Sequence, residues 1–213
     1  MQSRRLAIAT IIAGLAALTL LAGCGSKTAS RPVTTDDVSM GSATAPVTVV
    51  EYASVACPFC AQFNIEIFPD FKKRFVDTGQ VRYVAREMLT HNGSLSAAGF
   101  LLARCAGQDK YFEVVDAIYH ARDAMEVSGK YREGLLKIAK SVGINEAQFD
   151  ACTSNAASIE ALNARVEKYM KVDGINSTPS FLVNGKPMAV AGLPTIADFE
   201  KAIAEAKAAG PAR

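Results

Sequence analysis

Apolar and polar positions change their period several times along this chain, and the changes divide it. Behind Pro46, the run Val47-Thr48-Val49-Val50-Glu51-Tyr52 is rich in β-branched and aromatic residues and reads as a buried strand. A short loop follows. Apolar residues then recur four apart at Phe63, Ile67, Phe71 and Phe75, the spacing of one helical face, to about Val76. Pro69 falls inside that stretch and should kink or restart the helix. Asp77-Thr78-Gly79-Gln80 is a turn, and Val81 to Glu87 alternates as a second strand. From about Asn92 to Lys171 the period is helical throughout. The pieces are Ser94–Ala106, Asp109–Tyr119, Tyr131–Ser141, Glu146–Thr153 and Ala157–Met170, punctuated by Gly107, Gly129 and Gly143. Strand character returns at Ser180-Phe181-Leu182-Val183, with Asn184-Gly185 as a hairpin turn into Lys186–Val190. Thr195 then caps a last helix that carries Ile196, Phe199 and Ile203 on one face. The predicted order is βαβ, an all-helical insert, then ββα. Strand–helix–strand at the start implies a parallel crossover.

The first residues follow a different rule. Arg4 and Arg5 precede an uncharged run from Leu6 to Leu21, sixteen residues, short of the about 20 that a membrane span needs. A basic start, an apolar middle and small residues after it describe a secretory signal. Leu21-Ala22-Gly23-Cys24 resembles the bacterial lipobox, which implies cleavage after residue 23 and acylation of Cys24. Residues 24–37, rich in Ser, Thr and Lys, read as a flexible tether. The expected organisation is a leader at 1–23, a tether at 24–37, a main domain at 38–90 and 172–208, and a helical insertion at 91–171. The resemblance implies a bacterial cell-envelope location. The protein would be lipid-anchored and facing the periplasm or the outer surface. The absence of Asp after Cys24 favours the outer membrane.

Composition narrows the function classes. The 213 residues hold 23 basic and 21 acidic side chains, and removing Arg4 and Arg5 with the leader leaves 21 against 21. Such a balance, with no basic run, gives no expectation of nucleic-acid binding. Apolar residues make up half the chain, too many for a disordered one.

Chemistry concentrates at Cys57-Pro58-Phe59-Cys60, where a strand ends and a helix begins. A cysteine at a helix start faces unsatisfied N–H groups and the positive end of the helix dipole, which favour a thiolate. Cys60 lies one turn further in, close enough to close a disulfide. Pro58 is tolerated in the first turn, where its missing N–H costs little. A structural disulfide over so short a ring would stabilise little. Zinc needs four ligands, and Cys105, Cys152, His91 and His120 form no second ligand pair, so no metal is expected. A redox dithiol remains.

Glu51-Tyr52, the Cys57–Cys60 pair, and Ser177-Thr178-Pro179-Ser180 ahead of a strand resemble, in that order, the DsbA-like branch of the thioredoxin superfamily. The resemblance covers about residues 38–208. It implies an α/β thioredoxin-like fold with an all-helical insertion and thiol:disulfide chemistry without a cofactor. It makes Pro179 a cis-proline facing the dithiol, with Thr178 presenting its backbone to an extended substrate as a sheet edge would. It makes Glu51, six residues before Cys57, a buried acid with a raised pKa that moves the proton of Cys60. It also implies exported cysteine-containing proteins as substrates and a DsbB-type, quinone-linked membrane partner for reoxidation. The chain departs from the strong oxidases of that branch at Phe59, where they carry His, and at Thr178, where they carry Val. Both departures point to a less oxidising pair and leave the direction of electron flow open.

Five cysteines then sort into Cys24 for lipid, Cys57 and Cys60 for chemistry, and Cys105 with Cys152 in the insert. In an oxidising compartment the last two are expected to pair. His91 and His120 carry no motif. The tether is too short and too polar to dimerise, so a monomer is expected. The leading expectation is a membrane-tethered disulfide-forming oxidoreductase. A reductase or isomerase on the same fold, and a non-catalytic surface lipoprotein, are the alternatives.

Overall fold

The computed structural model describes residues 32–210; the leader and Cys24 lie outside them. Strands β1 (Val38–Met40), β2 (Val47–Ala53) and β3 (Val81–Glu87) precede the insert, and β4 (Ser180–Val183) and β5 (Lys186–Pro187) follow it. They form one sheet in the order β1-β3-β2-β4-β5. β2 and β3 run parallel, as the crossover requires, and β1, β4 and β5 pair antiparallel with their neighbours.

Between β2 and β3 the helix predicted to kink at Pro69 comes in pieces. These are α1 (Pro58–Gln62), a π-helical turn (Phe63–Ile67), α2 (Phe68–Phe71) and a second π-helical turn (Lys72–Val76). Proline cannot donate to the preceding turn, and wider π turns absorb the mismatch. The insert comprises α3 (Gly93–Cys105), α4 (Gln108–Ser128), α5 (Tyr131–Ser141), α6 (Glu146–Thr153) and α7 (Ala156–Val172), and α8 (Ile196–Ala208) closes the fold. Asn92, Asn145, Asn155 and Thr195 cap α3, α6, α7 and α8 with side-chain oxygens, each satisfying an orphan N–H of the first turn.

Three elements differ from the sequence reading. β1 was not foreseen: three residues carry too little pattern, and only pairing with β3 makes them a strand. α4 runs nine residues past Tyr119, because Met125 is buried on the face that Tyr111, Val114 and Ile118 begin; it stops where Gly129 adopts φ +69°. β5 ends at Pro187 rather than Val190, with one further backbone bond, from Met188 N to Phe181 O at 2.9 Å, before the chain leaves β4.

The sheet is covered on both faces. Val50, Tyr52 and Val84 belong to a core shared with the insert, including Leu102, Ile118 and Leu162. Val47, Val49, Val81 and Val183 pack with Phe63, Phe71, Phe199 and Ile203 on the other side. β2 is therefore buried on both faces and its C-terminal end is held between two layers. Two charged clusters sit in the described structure. Arg86 bonds Asp37, Asp173 and the Tyr52 hydroxyl; Glu87 accepts from Arg104, Arg165 and the Tyr111 hydroxyl. Asp37 ends the segment read as tether, yet it is buried against Arg86.

Candidate active site

The chain leaves β2 and turns through Ser54 to Cys57. Cys57 N donates to Ser54 O (3.0 Å), and Ala56 N donates to Ser54 Oγ (3.3 Å). Helix α3 presses on this loop at Gly99, where an added Cβ would lie 2.8 Å from Val55 Cγ2. Only glycine lets the insert approach so closely.

Cys57 is the N-cap of α1, with Pro58 in the first turn, and its Sγ accepts a hydrogen bond from Cys60 N at 3.4 Å. The sulfur thus occupies the place a Ser or Asp oxygen takes at ordinary helix starts. Both cysteines are reduced and buried. The Cys57 thiol is held down to about 5, chiefly by its hydrogen bond with Cys60. The Thr178 side chain and the Cys60 and Phe59 backbone groups help, while burial works against them. Burial pushes the Cys60 thiol the other way, well above its ordinary value, and the hydrogen bond to Cys57 and the Glu51 charge add to it. The two sulfurs are therefore unequal: one is ready to be a thiolate, the other a thiol. Phe59 between them is 58% exposed.

The Thr178–Pro179 peptide bond is cis, and the Cys57 thiol donates to Thr178 O at 3.4 Å. Thr178 Oγ1 also meets Thr90 Oγ1 at 2.8 Å, so the loop after β3 and the cis-proline loop touch beside the dithiol. A groove of about 410 Å³ runs next to this loop, lined by Ile175, Pro179, Leu182, Met188 and Pro194 among others.

Glu51 is buried on β2, beside the cysteines rather than at the solvent-facing end of the strand. Burial pushes its carboxyl up to about 8; the hydrogen bond from the Tyr83 hydroxyl opposes that, and the charge of Cys57 adds to it. A cavity of about 20 Å³, lined by Glu51, Asn64, Tyr83 and Tyr119, adjoins the carboxyl and has room for about one water.

Cys105 on α3 and Cys152 on α6 are disulfide-bonded, with Cα atoms 6.1 Å apart. His120 lies exposed on α4 beside Asp116, and His91 takes a positive φ in the loop before α3. Cys24 falls outside the described residues. Among the described residues no three His, Cys, Asp or Glu side chains group as metal ligands would. Sequence reasoning missed Tyr83, Thr90, Ser54 and Ser96. None belongs to a motif; Tyr83, Thr90 and Ser96 reach the site through contacts distant in sequence, and Ser54 through its own turn.

The family pattern described as "Thioredoxin" matches residues 33–205. A Rickettsia bellii protein named "Putative protein-disulfide oxidoreductase" is 35% identical over 174 residues, 81% of this chain and 66% of that protein. The chain spans between 55% and 66% of the length of this and the similarly named Rickettsia typhi relative. Wolbachia pipientis alpha-DsbA1 superposes with a TM-score of 0.75 at 21% identity, covering 83% of this chain and 94% of that one. A thioredoxin-like oxidoreductase from Silicibacter pomeroyi gives 0.65 at 27% identity, covering 82% and 94%. The chain belongs to the thioredoxin superfamily, and within it is DsbA-like: a thioredoxin-like fold carrying a helical insertion.

Proposed function

We propose that this protein is a thiol:disulfide oxidoreductase that forms disulfide bonds in exported proteins, through Cys57 and Cys60, while tethered to a membrane by lipid on Cys24. The observation that carries the reading is the placement of Cys57 Sγ at the start of α1, capped by Cys60 N and facing the cis-proline loop. That geometry stabilises a thiolate, hence the reduced form, and a pair whose reduced form is stabilised takes electrons from substrates.

In the working direction a substrate thiolate attacks Cys57 Sγ of the Cys57–Cys60 disulfide. The sulfur–sulfur bond breaks, and Cys60 leaves with the electron pair and gains a proton. Glu51, whose carboxyl is held up to about 8, supplies that proton. The substrate's second thiolate then attacks its own sulfur in the mixed disulfide, and Cys57 leaves as a thiolate. The substrate is oxidised by two electrons and the pair is reduced. A DsbB-type quinone-linked membrane protein takes those electrons in turn. The groove beside Pro179 is where an extended substrate would lie. The basic start, apolar run and lipobox-like Leu21–Cys24 support export and anchoring. With no Asp after Cys24, the outer membrane is the favoured site.

The test equilibrates the domain in glutathione buffers and follows oxidation of a reduced, unfolded protein alongside reduction of insulin. Fast oxidation with weak insulin reduction supports a disulfide-forming enzyme, and Cys57→Ser abolishes it. Strong insulin reduction with a potential near thioredoxin's, about −270 mV, would make it a reductase. Neither activity would leave a binding module.

A further inference from the structure

Arg122 lies on α4, in the insert, and is absent from every motif of the sequence. Its Nε donates to Ala56 O at 2.9 Å, the carbonyl immediately before Cys57. Ala56 is wholly buried, so that oxygen depends on a protein donor. The Arg122 side chain is 14% exposed, and its guanidinium pairs at its outer side with Asp123, whose side chain is 88% exposed. One face of the arginine is pinned to the active-site loop, and the other reaches the rim.

We propose that Arg122 is a positioning residue of the dithiol, lent by the insert: it fixes the Ala56–Cys57 peptide and, through it, the place of the Cys57 sulfur at the start of α1. Three observations converge. Ser54 ties the Ala56 and Cys57 amides, and Arg122 meets the Ala56 carbonyl, so both polar groups of the Ala56–Cys57 peptide are held. Cys57 must keep extended backbone angles, φ −79° and ψ 124°, to cap the helix with its sulfur. Rotation of the peptide before it would carry the sulfur off the Cys60 amide. The side chain is mostly shielded from water, so solvent competes little for its bond to the carbonyl. Arginine suits the task, since its fork bonds a carbonyl and a carboxylate at once and does not deprotonate. The dithiol of the thioredoxin-like half would then take its final tuning from the inserted half.

The inference rests on the dithiol chemistry proposed above, and its test separates the two. The full chain would be made with Arg122→Gln, Arg122→Lys and Asp123→Asn. Titration of Cys57 by alkylation across pH and the glutathione equilibrium constant would be read for each. Arg122→Gln should raise the Cys57 titration midpoint and lower the equilibrium constant, on the order of tenfold, as the freed peptide lets the sulfur leave the Cys60 amide. Arg122→Lys should recover only part of that loss, since an ammonium can still donate to the carbonyl but lacks the fork that also holds Asp123. Asp123→Asn, at an exposed site that does not threaten folding, should move both readings the same way by a smaller amount, since the guanidinium loses the partner on its outer side. Wild-type values in Arg122→Gln, a loss in Arg122→Lys equal to that in Arg122→Gln, or an unmoved titration in Asp123→Asn would each overturn the proposal. A wild-type thiol titrating near 8.5 would instead remove the function on which it rests.

Discussion

Glu51 and Tyr83 lie on neighbouring parallel strands, and the Tyr83 hydroxyl donates to the Glu51 carboxylate in a buried contact whose charge is felt at Cys60. A carboxyl pushed up to about 8 is protonated at neutral pH and can hand its proton to the leaving Cys60. Glu51→Gln keeps the shape and an acceptor for Tyr83 but has no acid proton to give. Rates of the step that releases Cys60 should fall by at least about tenfold, measured by stopped flow with a model thiol. Stability should change with it. The folded pKa of Glu51 lies above its ordinary 4.5, so its contribution is fully present below that value and is lost as pH rises towards 8. In urea titrations of the oxidised protein, wild type should therefore lose ground to Glu51→Gln across pH 4.5 to 8. A gap that stays constant over that window would remove Glu51 from the role.

The unequal thiols set the slope of potential against pH. Below about 5, reduction takes up two protons, one on each sulfur. Above it Cys57 is released as a thiolate, while Cys60 keeps its proton. The midpoint potential should fall by about 60 mV per pH unit below the break and about 30 mV above it, the one-proton slope of a two-electron couple. In stability terms, a depressed pKa contributes above the ordinary value of 9.0 and is lost as pH falls through about 5. The reduced form should accordingly gain on the oxidised form as pH rises between those limits. A single steep slope up to pH 8 would mean an ordinary thiol.

The placement of the cysteine pair was legible where it rests on local order in the chain. Cys57 could be placed at a helix start because a β-rich run, a two-residue spacing and an amphipathic stretch follow one another directly. The Asn184-Gly185 hairpin was legible for the same reason: both residues take positive φ, as that dipeptide does in two-residue turns. What surrounds the sulfurs was not. Tyr83 reads as one more alternating strand residue, and nothing local says that its hydroxyl will meet Glu51 across 32 positions. Thr90 and Ser96 sit in a polar loop and a helix start, where such residues are ordinary; only folding brings Ser54 Oγ within 2.6 Å of Ser96 Oγ. Long-range pairing also explains the missed β1.

Within the insert, Cys105 and Cys152 join α3 to α6 across 47 residues. Closing a loop of that length constrains the unfolded chain by about 4 kcal/mol on the entropy model. Cys105→Ser with Cys152→Ser should lower stability by about that amount in denaturant titration. It should leave the Cys57 titration midpoint within about half a unit of wild type, since the bond lies in a different part of the fold. A matching fall in disulfide-forming activity of the folded variant would instead place this second pair in the electron path.

Arg86 is the side chain through which the start of the domain is tied to its interior. It is 3% exposed, bonds both Asp37 oxygens (2.9 and 3.2 Å), reaches Asp173 at 3.1 Å, and donates to the Tyr52 hydroxyl. Burial alone would raise the Asp37 pKa, but Arg86 and the Thr34 amide outweigh it and hold the carboxyl below its ordinary range. Removing the cation while keeping the carboxylate is the costly change, because a buried charge is left without its counter-ion. Arg86→Leu should therefore cost about 3–5 kcal/mol in urea titration. Adding Asp37→Asn to it should return part of that loss, since the stranded charge disappears with the second change. The pair also predicts acid sensitivity. A depressed carboxyl contributes above its ordinary 3.8, and the contribution is lost as pH falls through the lower folded value. Hydrogen exchange at residues 38–40 should therefore quicken in acid before the amides of β2 do. Should Arg86→Leu unfold no more readily than wild type, or should the second change deepen the loss, the cluster does not hold the domain in this way.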